Sequence, residues 1–178
     1  AVAQFYVDSI SIKEVPYVLG KEQVTNGEFA TDLSSWDVSG TDATHTVTYS
    51  NGSARYQSDS VTPQLNFDQT ISNVEVGKTY QLSIDVTYTT GSLKVSSIDS
   101  NQTVLSNGLN VFSVVANSKT IRILRAASVV DALINSVSVK EVQYNYLQVA
   151  GGDFLKQCKV GDVVFNSTDD NEAVVLQV

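Results

Sequence analysis

An antiparallel β-sandwich is what this amino-acid sequence encodes, on three counts. Valine supplies 28 of the 178 residues, and β-branched side chains favour the extended backbone over the helix. Apolar and polar residues alternate with a period of two along most of the chain, which sends them to opposite faces of a strand. Turn-forming clusters separate these runs at a spacing of roughly 8–12 residues, the rhythm of sandwiches and barrels.

The alternating runs are, in order, 44–49 (THTVTY), 53–59 (SARYQSD), 64–71 (QLNFDQTI), 79–90 (TYQLSIDVTYTT), 92–98 (SLKVSSI), 110–116 (NVFSVVA), 119–125 (KTIRILR) and 132–142 (ALINSVSVKEV). In 79–90 the apolar set is Tyr80, Leu82, Ile84, Val86 and Tyr88, interleaved with Thr79, Gln81, Ser83, Asp85 and Thr87. Such a strand has one dry and one wet face. Turns are expected at 50–52, 76–78, 90–91, 106–108 and 117–118. The Asn-Gly pairs at 51–52 and 107–108 predict tight hairpins.

The chain also repeats itself. Residues 5–15 (FYVDSISIKEV) match 132–142 at an offset of 127, with five of eleven positions identical. A repeat of this kind indicates an array of similar modules. It divides the chain into the last strand of a preceding module (1–15), a linker (16–23), a complete module (24–142) and the start of a second small β module (143–178). The sequence has no Met and is expected to be a processed product, a fragment or the ordered window of something longer.

Composition narrows the function. A net charge of −8, a pI near 4.4 and eleven scattered basic residues argue against a nucleic-acid partner, which needs clustered Lys and Arg. No apolar run approaches the length of about 20 residues that a membrane-spanning helix needs. Cys158 is the only cysteine, so no intrachain disulfide forms. Beside Lys156 and Lys159 its thiol could be acidified, but a buried inert cysteine is the simpler reading.

Three motifs in order, VTNGEFATDLSSWDVSG (24–40), VEVGKTYQLSIDV (74–86) and LINSVSVKEV (133–142), resemble the carbohydrate-binding-module type of jelly roll. That family opens on Asn-Gly-x-Phe with a Trp shortly after, has a Val-Gly-Lys-x-Tyr central strand and closes on an Asp-x-Val-Ser-Val strand. The resemblance covers about 120 residues and implies an antiparallel jelly-roll sandwich. It also implies a structural calcium between the closing strand and the start of the module. Here Ala30 stands where the family often has Glu, and Asn135 replaces Asp. Glu28, Asp32 and Asn135 are left as candidate ligands, few for an ion that takes six to eight oxygens. The segment 151–178 resembles a short β segment of phage tail and other virion proteins, with strands at 163–165 and 173–178. Its TDDNE run (168–172) lacks the order of a calcium loop and reads as a solvated turn.

Catalytic constellations are absent from the sequence, which carries one histidine, one cysteine and none of the hydrolase or phosphate-loop patterns. His45 reads as a solvent-facing strand residue and the chain as a non-enzyme. Sugar binding needs exposed aromatic rings beside amides and carboxylates; Tyr49, Tyr56 and Tyr88 are the candidates. Trp36, Tyr80 and Phe112 are expected in the core. The sequence thus points to a non-catalytic structural or adhesion module of a virion or cell-surface fibre. Its expected partners are other copies, other virion or surface proteins and cell-surface glycan, in a homo-oligomeric, virion or extracellular setting. Two alternatives stand beside it: a glycan-binding module of a secreted glycoside hydrolase, and a filament subunit assembled by strand exchange.

Overall fold

The computed structural model describes residues 17–60, 62–127 and 129–144, with the backbone of 163–166 and 171–174. Among them there are twelve strands and no helix: β1 (Tyr17–Glu22), β2 (Asp37–Ser39), β3 (His45–Tyr49), β4 (Ala54–Ser58), β5 (Asn66–Thr70), β6 (Thr79–Thr90), β7 (Leu93–Ser97), β8 (Gly108–Val115), β9 (Thr120–Arg125), β10 (Val130–Tyr144), β11 (Val163–Asn166) and β12 (Asn171–Val174). Leu19–Val142 forms one compact unit. Its larger sheet runs β3-β4-β10-β6-β8, with β1 also on β10; its smaller sheet runs β2-β5-β9-β7. Every strand pair with a described register is antiparallel. From β4 to β10 each connection crosses from one sheet to the other, which is the jelly-roll path.

The strands predicted between 44 and 142 are all present, but the hairpin at 107–108 and the linker at 16–23 need correction. Asn51 and Gly52 close the β3–β4 hairpin with φ of 48° and 83°, and Ser50 and Ser53 exchange backbone hydrogen bonds at 2.8 and 3.1 Å. Asn107-Gly108 closes no hairpin. It leads from the smaller sheet into β8 of the larger one, because β7 pairs with β9 and β8 with β6. Residues 16–23, expected as a linker, contain β1. The reason lies in β10, which is 15 residues long and takes on β1 as a further partner. Glu22 fastens this contact, its carboxylate accepting from the backbone N–H of Val139 at 2.9 Å and from the hydroxyl of Ser138.

The opening motif explains itself physically. The carbonyl of Gly27 accepts from Val137 N–H at 2.9 Å. A Cβ at Gly27 would lie 2.0 Å from the Val137 carbonyl oxygen, so only glycine lets the loop approach β10. Phe29 then drops into the core, where it meets Trp36 (ring centroids 5.7 Å apart) and Phe67 (5.9 Å). Trp36 stacks on Phe67 at 4.5 Å and donates from its indole to the Asn26 carbonyl. Around this cluster pack Tyr80, Leu82, Ile84 and Val86 of β6, Ile121 and Ile123 of β9, and Val137 and Val139 of β10, all at most 2% exposed. Phe112, expected in the core, is half-buried and packs against it. Each of the fully buried aliphatic and aromatic side chains contributes about 1.5–3 kcal/mol.

The strands β11 and β12 pair antiparallel, Val163 opposite Val174 and Asn166 opposite Asn171. The closing strand, expected from 173, begins at Asn171. The expected strand at 5–15, Cys158 with its flanking lysines, residues 168–170 of the expected turn and residues 175–178 lie outside the described residues.

Candidate functional site

Two outward sheet faces are available for contact. On the larger sheet, alternation turns Arg55 and Gln57 of β4, Asp131 and Leu133 of β10, and Gln81, Ser83, Asp85 and Thr87 of β6 away from the core. The register sets Leu133 between Arg55 and Thr87, and Asp131 opposite Gln57. Arg55 grips Asp131 with two hydrogen bonds, at 3.1 and 2.9 Å. This bond holds the Asp131 carboxyl below its ordinary range. On the smaller sheet Arg122 makes a similar bidentate pair with Asp68.

Asn135 sits in a β-bulge of β10. The pairing with β6 steps from Ile134↔Val86 to Ser136↔Asp85, leaving Asn135 as the extra residue. Its amide donates to Asp85 Oδ2 (3.2 Å) and Thr87 Oγ1 (3.0 Å), and its oxygen accepts from Ser53 Oγ (3.1 Å). Unbroken alternation from Val137 and Val139 would put Asn135 on the inner face. The bulge flips the alternation, and Asn135 joins the outward polar residues of β6.

The other two candidate metal ligands, Glu28 and Asp32, lie in the opening loop before β2. Asp32 Oδ1 accepts from Ser34 N–H at 2.9 Å, and Glu28 is exposed in the opening loop. The Asn26 amide nitrogen points at the Asp32 carbonyl (3.0 Å), Asp32 Oδ1 (3.2 Å), the Ser34 carbonyl (3.1 Å) and Ser34 Oγ (3.4 Å). A donor nitrogen thus occupies the focus of four oxygens, where calcium would require oxygen ligands alone. Among the described residues no group of three or more His, Cys, Asp or Glu is arranged to hold a metal ion. Asp32 and Asn135 each hydrogen-bond to protein groups, Asp32 with Ser34 and Asn26 and Asn135 with Ser53, Asp85 and Thr87.

The three tyrosines also differ from expectation. Tyr56 is fully buried, because β4 turns Ala54, Tyr56 and Ser58 inward. Its hydroxyl donates to the Leu65 carbonyl at 2.7 Å and accepts from Arg125 N–H at 3.2 Å, and burial pushes its phenol up to about 12. It is no sugar platform. Tyr88 belongs to the inner row of β6; its hydroxyl accepts from Leu93 N–H (2.9 Å) and donates to the Leu105 carbonyl (3.2 Å). Tyr49 is 42% exposed but lies on the inward side of β3 with His45 and Val47, and its hydroxyl reaches the Ala30 carbonyl at 3.3 Å. No aromatic side chain of the Leu19–Val142 unit stands in an outward row of either sheet.

His45, expected to face solvent, is 1% exposed. Its Nδ1 lies 2.8 Å from Asp42 Oδ1, and its Nε2 lies 3.3 Å from the Ser60 carbonyl and 3.4 Å from Ser60 Oγ. The order Asp42, His45, Ser60 is that of a nucleophilic triad. The hydroxyl, however, is turned elsewhere, donating to the Thr62 carbonyl at 2.9 Å. The imidazole acts as a tie between the turn before β3 and the segment after β4. Beside it Arg125 is buried, its guanidinium donating to Ser58 Oγ (2.8 Å) and the Pro63 carbonyl (2.9 Å).

Comparison with known proteins places this architecture. No protein-family model and no curated protein sequence matches the chain. Among solved structures, the apo carbohydrate-binding module BiXyn10A CBM1 superposes with a TM-score of 0.52 at 16% identity, over 64% of this chain and 94% of that one. The fold is that of a carbohydrate-binding module. A CBM4 structure matches this chain with a TM-score of 0.42 and 16% identity, over 66% of this chain and 98% of that one. The enzymatically active domain of bacteriophage CBA120 tailspike protein 4 matches with a TM-score of 0.47 and 23% identity, over 67% of this chain. The match spans only 21% of the tailspike chain.

Proposed function

We propose that the chain is a non-catalytic module of a virion or cell-surface fibre, which positions its neighbours and contacts cell-surface glycan weakly. The observation that carries this reading is the inward placement of the aromatic residues of the Leu19–Val142 unit. A sugar ring held without an aromatic face depends on hydrogen bonds, each worth about 0.5–1.5 kcal/mol net because water competes for the same groups. Three or four such bonds, from residues such as Arg55, Asp131, Gln57 and Asp85 on the larger sheet, reach only about 4 kcal/mol, a dissociation constant near 1 mM. The carbohydrate-binding-module fold supports the glycan part of the reading. The repeat at an offset of 127 and the virion-like segment 151–178 support the fibre setting.

Titration of the full chain with soluble β-linked oligosaccharides, followed by NMR shifts, tests the reading. Dissociation constants of about 1 mM or weaker are expected. A micromolar constant would overturn it in favour of the glycan-binding module of a secreted glycoside hydrolase.

A further inference from the structure

We infer that β8 is the contact through which two copies of this chain associate, strand against strand and antiparallel about a two-fold axis. Among the described residues β8 ends the strand order of the larger sheet, so one row of its backbone N–H and C=O groups faces away from the other described strands. Natural edge strands are usually blunted by charge, proline, bulges or shortness. β1, which lies on β10 at the rim of the larger sheet, carries Lys21 and Glu22. β2 is three residues long and carries Asp37, and β3 is five residues long. β7 is covered by the segment at 103–105, with Val95 N–H donating to the Thr103 carbonyl and Leu105 N–H to the Leu93 carbonyl, both at 2.9 Å.

β8 follows none of it. It is eight residues long, and residues 106–118 (SNGLNVFSVVANS) contain neither a charged residue nor a proline. Its outward row carries Leu109, Val111 and Val115, exposed at 67, 53 and 61%.

Charge selects the occupant. Two copies of a chain with a net charge of −8 repel each other wherever acidic surfaces meet. A strip without charge is the place where they can approach without that penalty, and an aliphatic strip is complementary to itself. Pairing centred on Phe112 sets Leu109 against Val115 of the other copy and Val111 against Ser113. The outward rows then continue into one another, and the two larger sheets become one. A strand of eight residues spans only about 27 Å, so the contact is smaller than the roughly 1,200–2,000 Å² of a stable complex. A dissociation constant of about 10–500 μM is expected. The inference concerns the copies alone and stands whether or not the module binds glycan.

Sedimentation equilibrium of the full chain across that concentration range tests it. The wild type should dimerise, and more tightly as salt rises from about 0.05 to 0.5 M, because screening removes the mutual repulsion while the contact itself carries no ion pair. Val111→Lys should weaken association at least about tenfold by setting two ammonium groups near the two-fold axis. Val76→Lys, at an equally exposed position (61%) in the turn before β6, should leave it unchanged. Far-UV circular dichroism and melting temperature confirm that both variants fold. A wild type that stays monomeric, a Val111→Lys variant that dimerises as the wild type does, or equal weakening by Val76→Lys would overturn the assignment.

Discussion

Asp42 and His45 hold each other across three residues, and the carboxylate answers to that contact. The hydrogen bond with His45, aided by the backbone N–H of Thr44, lowers the Asp42 pKa from 3.8 to about 2. A carboxylate depressed on folding stabilises the native state above its unfolded pKa, and that stability is lost as pH falls through its folded value. The window here runs from about pH 4 down to about pH 2. Asp32 and Asp131 shift in the same direction, so the comparison must be between variants. Asp42→Asn should lower the melting temperature at pH 4 and lose less than the wild type between pH 4 and pH 2. Equal losses in the two proteins would show that the contact contributes nothing to acid stability. His45 itself was illegible in the sequence. Thr44, Thr46 and Thr48 surround it with polarity, and its burial comes from Asp42 and Ser60, which lie on turns that no periodicity describes.

β6 is the element that the amino-acid pattern describes best. Its strict alternation maps onto alternating burial from Tyr80 to Val86, because a strand between two neighbours in a sheet has no freedom to rotate its faces. Ile84 is fully buried between the sheets, and Ile84→Ala should cost about 2–5 kcal/mol in urea unfolding. A loss below about 1 kcal/mol would mean that this position is not packed as described. β10 teaches the opposite lesson. Between Val130 and Val139 its buried residues fall at Val130, Ala132, Ile134, Val137 and Val139, a spacing of two, two, three and two. The step of three is the bulge, and it was present in the letters ALINSVSV. Continuing the alternation through it would put Asn135 on the wrong face. The turns mislead for a related reason. Asn51-Gly52 and Asn107-Gly108 share one local chemistry, yet the first joins two paired strands and the second delivers the chain into the other sheet. Which strand waits beyond a turn is decided by the core.

Much of the jelly roll could be read from the chain, since the motifs around Gly27, Gly77 and the closing strand each correspond to a backbone requirement. Gly77 has a φ of 93° and donates to the Ala116 carbonyl, and Gly27 leaves room for β10. The contact faces could not be read, because alternation states which residues share a side but not which side meets water. Tyr56 was placed outside for that reason. One consequence of the strand pairing concerns load. Residues 22 to 27 run against 139 to 137, through the bonds of Gln23 to the Val139 carbonyl and of Val137 to the Gly27 carbonyl. The two ends of the Leu19–Val142 unit are therefore antiparallel neighbours at one end of the sheet. Tension applied between them peels hydrogen bonds one after another instead of shearing a row of them at once. β1 has β10 for its partner, while β10 is clasped by β4 and β6 as well, so β1 gives way first and the core survives. Single-molecule pulling on residues 19 and 142 should register a low-force lengthening before the main rupture. A single high-force event would show that the unit yields as one block. A fibre containing such units would have a built-in shock absorber at every junction.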